Sequence, residues 1–189
     1  MRFLAMAALS AASLSLAACG GSSVDGDMSE ADLPEKYASL EDLVSKAENA
    51  ELEEASESQM SGTATLSGAM AISDVGEAED LEAIGDMSLT ADFTGGTVTG
   101  TADGFGLYND DTQELEDELT GSLAISGTIS GTTLAADASG TLTDDEAHIV
   151  DMDMDGTFYD YEGELALYGD LEGTVDGDYY EGGFAAIED

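Results

Sequence analysis

Apolar residues recur at every second position over 119–142, LTGSLAISGTISGTTLAADASGTL, and this restricts the fold more sharply than anything else in the chain. Leu119, Leu123, Ile125 and Ile129 share one face with Gly121 and Gly127, while Thr120, Ser122, Ser126, Thr128 and Ser130 take the other. A period of two describes a strand with one buried and one solvated face. Past Ser130-Gly131-Thr132 the alternation resumes at Leu134, Ala136, Ala138, Gly140 and Leu142. Two such runs joined by a short glycine turn predict an antiparallel hairpin whose apolar faces enter one core.

The same period holds from Met60 to the end. Gly62, Ala64, Leu66, Gly68, Met70 and Ile72 share a face; Met87, Leu89, Ala91 and Phe93 form a second strand; Val98, Gly100 and Ala102 a third, with Phe105 and Leu107 as a short fourth. After the hairpin come Val150 to Phe158, Leu165 to Val175 and Tyr180 to Ala186, each alternating. Glycine recurs on the apolar face itself, at Gly68, Gly100, Gly121, Gly127, Gly140, Gly156, Gly169, Gly173 and Gly182. Closed barrels need small inward residues where strands coil. The expected fold is all-β, a small soluble antiparallel barrel of eight or nine strands over 60–189. Outward positions are Thr, Ser, Asp and Glu rather than a lipid-facing apolar band with aromatic girdles, which argues against a membrane-spanning barrel.

Charge narrows the partners. Lys and Arg total 3 against 43 Asp and Glu, a formal net charge of −40 over 189 residues. A phosphate-binding surface needs clustered basic side chains, so nucleic acid is excluded, and docking on anionic lipid headgroups is disfavoured on the same ground. Basic proteins, cations and neutral groups are the partners such a chain admits.

Ahead of the strands, 1–18 carries Arg2 as its sole charge, followed by the apolar stretch FLAMAALSAASLSLAA, and then the chain's one cysteine, Cys19, before Gly20. This is a secretory leader. Leu16-Ala17-Ala18-Cys19 resembles a bacterial lipobox, in which the cysteine is acylated and becomes residue one; a lone thiol has no disulfide partner to explain it. Several acyl chains make attachment stable, and Gly20 rather than Asp suggests sorting to the outer membrane. The small, polar segment 19–31 reads as a tether. Over 32–59 a single short helix is expected, with Asp32 as N-cap, Pro34 in the first turn, and an apolar stripe of Tyr37, Leu40, Leu43, Val44, Ala47 and Ala50 that packs on the sheet, before the chain frays over 51–57.

Ser61 to Ala69 (SGTATLSGA), Leu89 to Gly100 (LTADFTGGTVTG) and Tyr180 to Ala185 (YEGGFA), behind a lipobox and a short helix, resemble the transferrin-binding-protein-B-like surface lipoproteins. The resemblance covers roughly the barrel, with one barrel and no second lobe. It implies a lipid-anchored binding barrel whose loops recognise a ligand or protein, in iron, haem or solute acquisition, with an iron- or haem-carrier protein as partner.

Asp151-Met152-Asp153-Met154-Asp155-Gly156, with Glu162 beyond, satisfies the spacing of a calcium-binding EF-hand loop, the ligands being Asp151, Asp153, Asp155, the Thr157 carbonyl, Tyr159 through water, and Glu162. A hand also needs flanking helices. The segments on either side, HIV and GELALYG, are strand-like, and a strand explains Met152 and Met154 as core. Catalytic sets are scarce: His148 is the chain's one histidine, expected to cap or border a strand, and Tyr159, Tyr161, Tyr179 and Tyr180 can stack or ligate but define no site. The expectation is a non-enzymatic outer-membrane lipoprotein, on the periplasmic face or the cell surface, whose acidic loops 74–86 and 110–118 recognise a ligand or protein. The alternative is an acidic structural or adhesive envelope protein bridged by calcium. No resident cofactor is expected.

Overall fold

The computed structural model describes residues 33–75 and 81–189. The leader, Cys19, the tether and Asp32 lie outside the described residues. Two short helices, α1 (Glu35–Ser39) and α2 (Glu41–Glu48), precede ten strands. These are β1 (Glu53–Glu54), β2 (Thr63–Val75), β3 (Leu81–Asp92), β4 (Thr97–Asn109), β5 (Leu115–Glu118), β6 (Thr120–Ser130), β7 (Thr133–Thr143), β8 (Ala147–Tyr161), β9 (Glu164–Val175) and β10 (Asp178–Glu188). Eight of them close an antiparallel barrel, each pairing with its neighbours in the chain, and β10 seals the circle on β2. The two outer strands, β1 and β5, lie along β8 and β4.

The opening hairpin is β6 and β7, joined at Gly131-Thr132 with Ser130 opposite Thr133. Gly131 has φ +61, the value a two-residue hairpin turn requires at its first position. Inward side chains follow the sequence phase, with Leu123, Ile125, Leu134, Ala138 and Leu142 all buried.

One inward row measures the barrel's stagger. Ala64 pairs with Ala91, then Val98, Gly127, Ala136, Met154, Leu171 and Gly182 follow around the wall. Gly182 returns to β2 at Ile72, eight residues beyond Ala64. Eight strands staggered this little make a narrow cylinder whose interior is just wide enough for side chains to fill. The axis is accordingly packed with Leu66, Met87, Leu89, Met152, Met154 and Phe158, all essentially inaccessible.

So narrow a wall leaves no room for a Cβ at many inward positions. A methyl group on Gly68 would sit on the Ala185 carbonyl oxygen, on Gly127 against Ala135 oxygen and Ala136 Cα, and on Gly169 on the Asp155 carbonyl; Gly173 and Gly182 meet Asp151 and Ala71 in the same way. Each such glycine faces a larger residue on a neighbouring strand, as Gly100 faces Leu89 and Gly140 faces Leu123. Small and large alternate, which is how a tight barrel is filled.

Several expectations are corrected. Phe105 and Leu107 are no separate strand: β4 runs on through Gly104, which has φ +64. Ile84 pairs with Gly106 but Asp86 with Asp103, so Gly104 and Phe105 together oppose Gly85. This bulge shifts the inward phase by one residue, and the Phe105 ring covers Gly85. A similar bulge at Asp74, φ +57, turns Val75 inward on β2. The expected single helix is broken at Leu40. The Ser39 hydroxyl takes the Lys36 carbonyl at 2.7 Å, so the Leu40 N–H donates instead to Tyr37. The acidic run that was expected to fray holds β1, whose Glu53 and Glu54 pair with Asp160 and Tyr159, while Ala55 donates to the Phe158 carbonyl. The outer wall is not uniformly polar either: Leu40 and Leu43 pack on outward Ala69, Ala166 and Ala185. Lys36 reaches Asp86 at 3.6 Å, and Lys46 pairs with Asp42, one helical turn earlier, at 2.7 Å. No helix among the described residues is long and apolar enough to cross a membrane.

Gly127→Ala tests the close approach, because the added carbon meets backbone that cannot move aside. We expect a loss of about 2–3 kcal/mol in denaturant unfolding, as for overpacking a rigid core. Gly131→Ala meets no atom within 4 Å and bears the left-handed backbone penalty alone, so about 1 kcal/mol is expected there. Equal costs at the two sites would contradict the account of closure.

Candidate functional site

The barrel's two ends differ. At one end Phe93 and Phe158 meet edge to face, with ring centroids 5.3 Å apart, and Ala55 and Met60 pack beside them. At the other, where β2, β4, β7 and β9 end, side chains leave a cavity of about 370 Å³. Its walls are Ile72, Val75, Ala83, Leu107, Leu119, Leu142, Val150 and Val175; its polar lining is Asp144, His148, Asp176, Asp178 and Tyr180. A concave apolar hollow with few polar groups is the usual form of a small-ligand site, and this volume lies in the usual range.

His148 organises the rim. It stands at the start of β8, between the β7–β8 turn that carries Asp144 and the β9–β10 turn that carries Asp176. Its Nδ1 lies 2.8 Å from Asp176 Oδ2 and its Nε2 3.3 Å from Asp144 Oδ1. A neutral imidazole can donate from one nitrogen only, so two facing carboxylates favour the doubly protonated ring. The Asp176 hydrogen bond first, and then Asp144, raise the His148 pKa above its ordinary value. Both carboxyls are held low, Asp176 chiefly by the Ile149 N–H at 2.8 Å and Asp144 chiefly by the Glu146 N–H at 2.7 Å. The clamp ties two neighbouring turns across the mouth.

A second hollow, of about 420 Å³, lies outside the wall beneath the helices, lined by Tyr37, Leu40, Val44, Ala69, Ala71 and Glu82 among others. Here the Tyr37 hydroxyl donates to Glu82 Oε2 and the Ser73 hydroxyl to Glu82 Oε1, each at 3.4 Å. Burial, and then the Glu82 charge, push the Tyr37 hydroxyl up to about 12; burial and then the Asp110 charge raise Glu82. This hollow is a seam between the helices and the barrel rather than an end of it.

The proposed calcium ligands are not brought together. Asp151, Asp153 and Asp155 project from alternate positions of β8 to the outer face and are exposed, with Met152 and Met154 buried between them. Thr157 continues the strand, and Glu162 sits in the β8–β9 turn, where Lys46 approaches to 3.5 Å. No group of three or more metal-ligating side chains is arranged to hold an ion among the described residues. The register instead aligns carboxylates across strands: Asp137 opposes Asp153, Asp153 opposes Glu172, and Glu172 opposes Glu181. Like charges directly opposite in a sheet are destabilising. The tyrosines do not converge either, since Tyr161 donates to Asp42 at 2.7 Å, Tyr179 to Glu181 at 3.2 Å, and Tyr180 alone lines the mouth. Cys19 lies outside the described residues. Of the two acidic loops, 110–118 forms the β4–β5 turn and β5, and only part of 74–86 is described.

Asp144 and Asp176 were not singled out in the sequence. The i,i+4 spacing of Asp144 and His148 is a local signal, whereas Asp176 comes from 28 residues away. No protein-family model matches the chain, and no curated protein matches its sequence.

Two outcomes follow. Since the folded His148 pKa is raised, the stability it contributes is full below the unfolded value of about 6.5 and is lost as pH rises through the folded value. Asp144 and Asp176, held low, contribute above about pH 4 and lose their contribution on acidification. A melting series from pH 5 to 9 should therefore decline on the alkaline side, and His148→Gln should flatten that decline; an unchanged slope in the variant would remove the clamp. On the outer wall, Asp153→Asn relieves two opposed pairs at once. Its melting temperature should rise by about 1–3 °C in dilute buffer, with the gain gone near 1 M salt.

Proposed function

We propose that this is a non-enzymatic lipoprotein, anchored by acyl chains on Cys19 at the outer membrane, whose barrel binds a ligand at its open end. The observation that carries the reading is the apolar cavity at that end, on a cylinder whose axis is packed with its own side chains. Turns on a rigid sheet are where binding residues concentrate. Among the described residues the cavity lining contains no serine, cysteine or lysine nucleophile, and the ring nitrogens of His148 are both engaged by carboxylates, which supports binding over catalysis. A role in iron, haem or solute acquisition, with a carrier protein as partner, follows from the family resemblance. On the periplasmic face or at the cell surface, the tether gives the barrel reach. A second reading, an acidic envelope protein bridged by calcium, draws on the carboxylate ladder of Asp137, Asp153, Glu172 and Glu181.

Anchoring and binding are tested separately. Cys19→Ser should release the protein from the membrane fraction or leave uncleaved precursor, and a mature variant still pelleting with outer membranes would contradict the anchor. Envelope extracts passed over the immobilised protein should yield a stoichiometric ligand that Val175→Phe, which fills the mouth, no longer retains. Material retained equally by that variant, or only calcium-dependent aggregation, would transfer support to the second reading.

A further inference from the structure

The mouth has a charge preference that its shape alone does not disclose. We propose that it selects a small apolar cation, an amine or quaternary ammonium on an alkyl or aryl body, and rejects the matching carboxylate. This rests on the reading of the mouth as the binding site.

The walls present aliphatic carbon alone from Ile72, Val75, Ala83, Leu107, Leu119, Leu142, Val150 and Val175, a surface that takes an apolar body. The polar lining is one-sided: Asp144, Asp176 and Asp178 against His148. Of the cationic side chains among the described residues, Lys36 is committed to Asp86 on the outer wall and Lys46 to Asp42 and Glu162, which leaves His148 as the one cation at the cavity. Its two N–H groups point at Asp176 and Asp144, so neither remains to receive an incoming anion.

The charges around the rim reinforce this. Asp145 and Glu146 share the turn with Asp144, whereas Asp110 of the β4–β5 turn acts on Tyr37 and Glu82 at the outer seam. Charges of one sign around a low-dielectric hollow focus their field into it. An anion entering gains no donor and meets carboxylates, whereas an ammonium keeps its head among them while its tail leaves water. Tyr180 adds an aromatic ring to the lining, a surface that attracts cations rather than anions.

A chain of −40 attracts any cation weakly and everywhere, so the test must locate the bound probe. In a methyl-resolved NMR titration of the purified protein at about 0.15 M salt, which leaves the charges at the mouth only partly screened, octyltrimethylammonium should shift the methyls of Leu142, Val150 and Val175 saturably, at one per chain. Tetramethylammonium, lacking the tail, should leave them in place, and octanoate should bind about ten-fold more weakly or worse, since rim attraction becomes repulsion. Asp178→Asn should weaken the ammonium about three-fold, the usual worth of one exposed charge. Asp153→Asn, the same charge change on the outer wall, should leave its affinity unaltered. Octanoate or octanol binding as well as the ammonium would overturn the cation preference and leave the mouth intact as a site. Equal weakening by the two variants, or cation shifts without saturation, would overturn it as general surface attraction. If no tailed probe moves those methyls, the reading of the mouth itself fails.

Discussion

Everything in this barrel depends on strands approaching one another more closely at inward glycines than a Cβ would permit. At Gly68 and Gly182 the carbonyls of Ala185 and Ala71 occupy the space that an alanine methyl would need, and these two glycines sit on the seam where β10 meets β2 and the sheet becomes a cylinder. The β8–β9 pair repeats the arrangement at Gly169 and Gly173. Eight strands with a register return of eight residues make a narrow cylinder, and a narrow cylinder is filled by its own side chains. Glycine weakens a strand in isolation because it loses more backbone freedom on folding. Here that cost is offset by burying the Met and Leu side chains that stand opposite, which packing against a bulkier wall would not allow.

The outer surface follows a different rule. Hydroxyl side chains face outward on β4 and β6, and carboxylates on β8 and β9, so the net charge is spread unevenly around the wall. Aligned acids such as Asp153 and Glu172 oppose folding at low ionic strength, and nothing on the outer face of those strands neutralises them among the described residues. The two lysines instead fasten the helices: Lys36 to β3, and Lys46 within α2 and to the β8–β9 turn. Basic charge is thus spent on holding α1 and α2 over the outward alanines of β2, β9 and β10 rather than on balancing the sheet.

Strand phase was legible wherever pairing stayed regular, because a period of two maps directly onto inside and outside, as for Leu123 and Ile125 against Ser126. It failed at Gly104 and Asp74. A bulge changes parity without leaving a signal that a periodic pattern can register, so one strand read as two. The helix break at Leu40 depends on a single hydroxyl choosing a carbonyl, and β1 depends on a partner more than a hundred residues away. Outward Ala69 and Ala185 look like any small strand residue until the helix that covers them is in place. At the candidate site, aliphatic positions such as Val150 and Val175 were legible as inward, but not as the end of a filled column where packing stops. His148 was legible as a strand border; its pairing with Asp176 needs β8 and β9 to be neighbours first.

Function at such a barrel is drawn to the ends by the same narrowness that stabilises the middle. The axis has no space to admit a ligand, and the wall offers either a hydroxyl lattice, a carboxylate ladder or a face already covered by helices. At one end Phe93, Phe158 and Ala55 pack over the axis, and a hollow of about 480 Å³ lies beside Ala55, Met60, Phe93 and Ile129; the hollow walled by aliphatic side chains and edged by His148 lies at the end where β2, β4, β7 and β9 terminate. There the turns must cross a hollow that no side chain fills, and Asp144 and Asp176 hold two of them in place through one protonated ring. A hollow that stayed apolar to its edge would gain most by collapsing or by pairing with another apolar surface. A rim of like charges resists both, since a second copy brings the same sign to the contact and the turns repel one another across the opening. An acidic rim therefore opposes collapse of the mouth, and the face-to-face approach of a second copy, before any ligand arrives. The neutralising charge that would let it close is the one that a cationic ligand supplies.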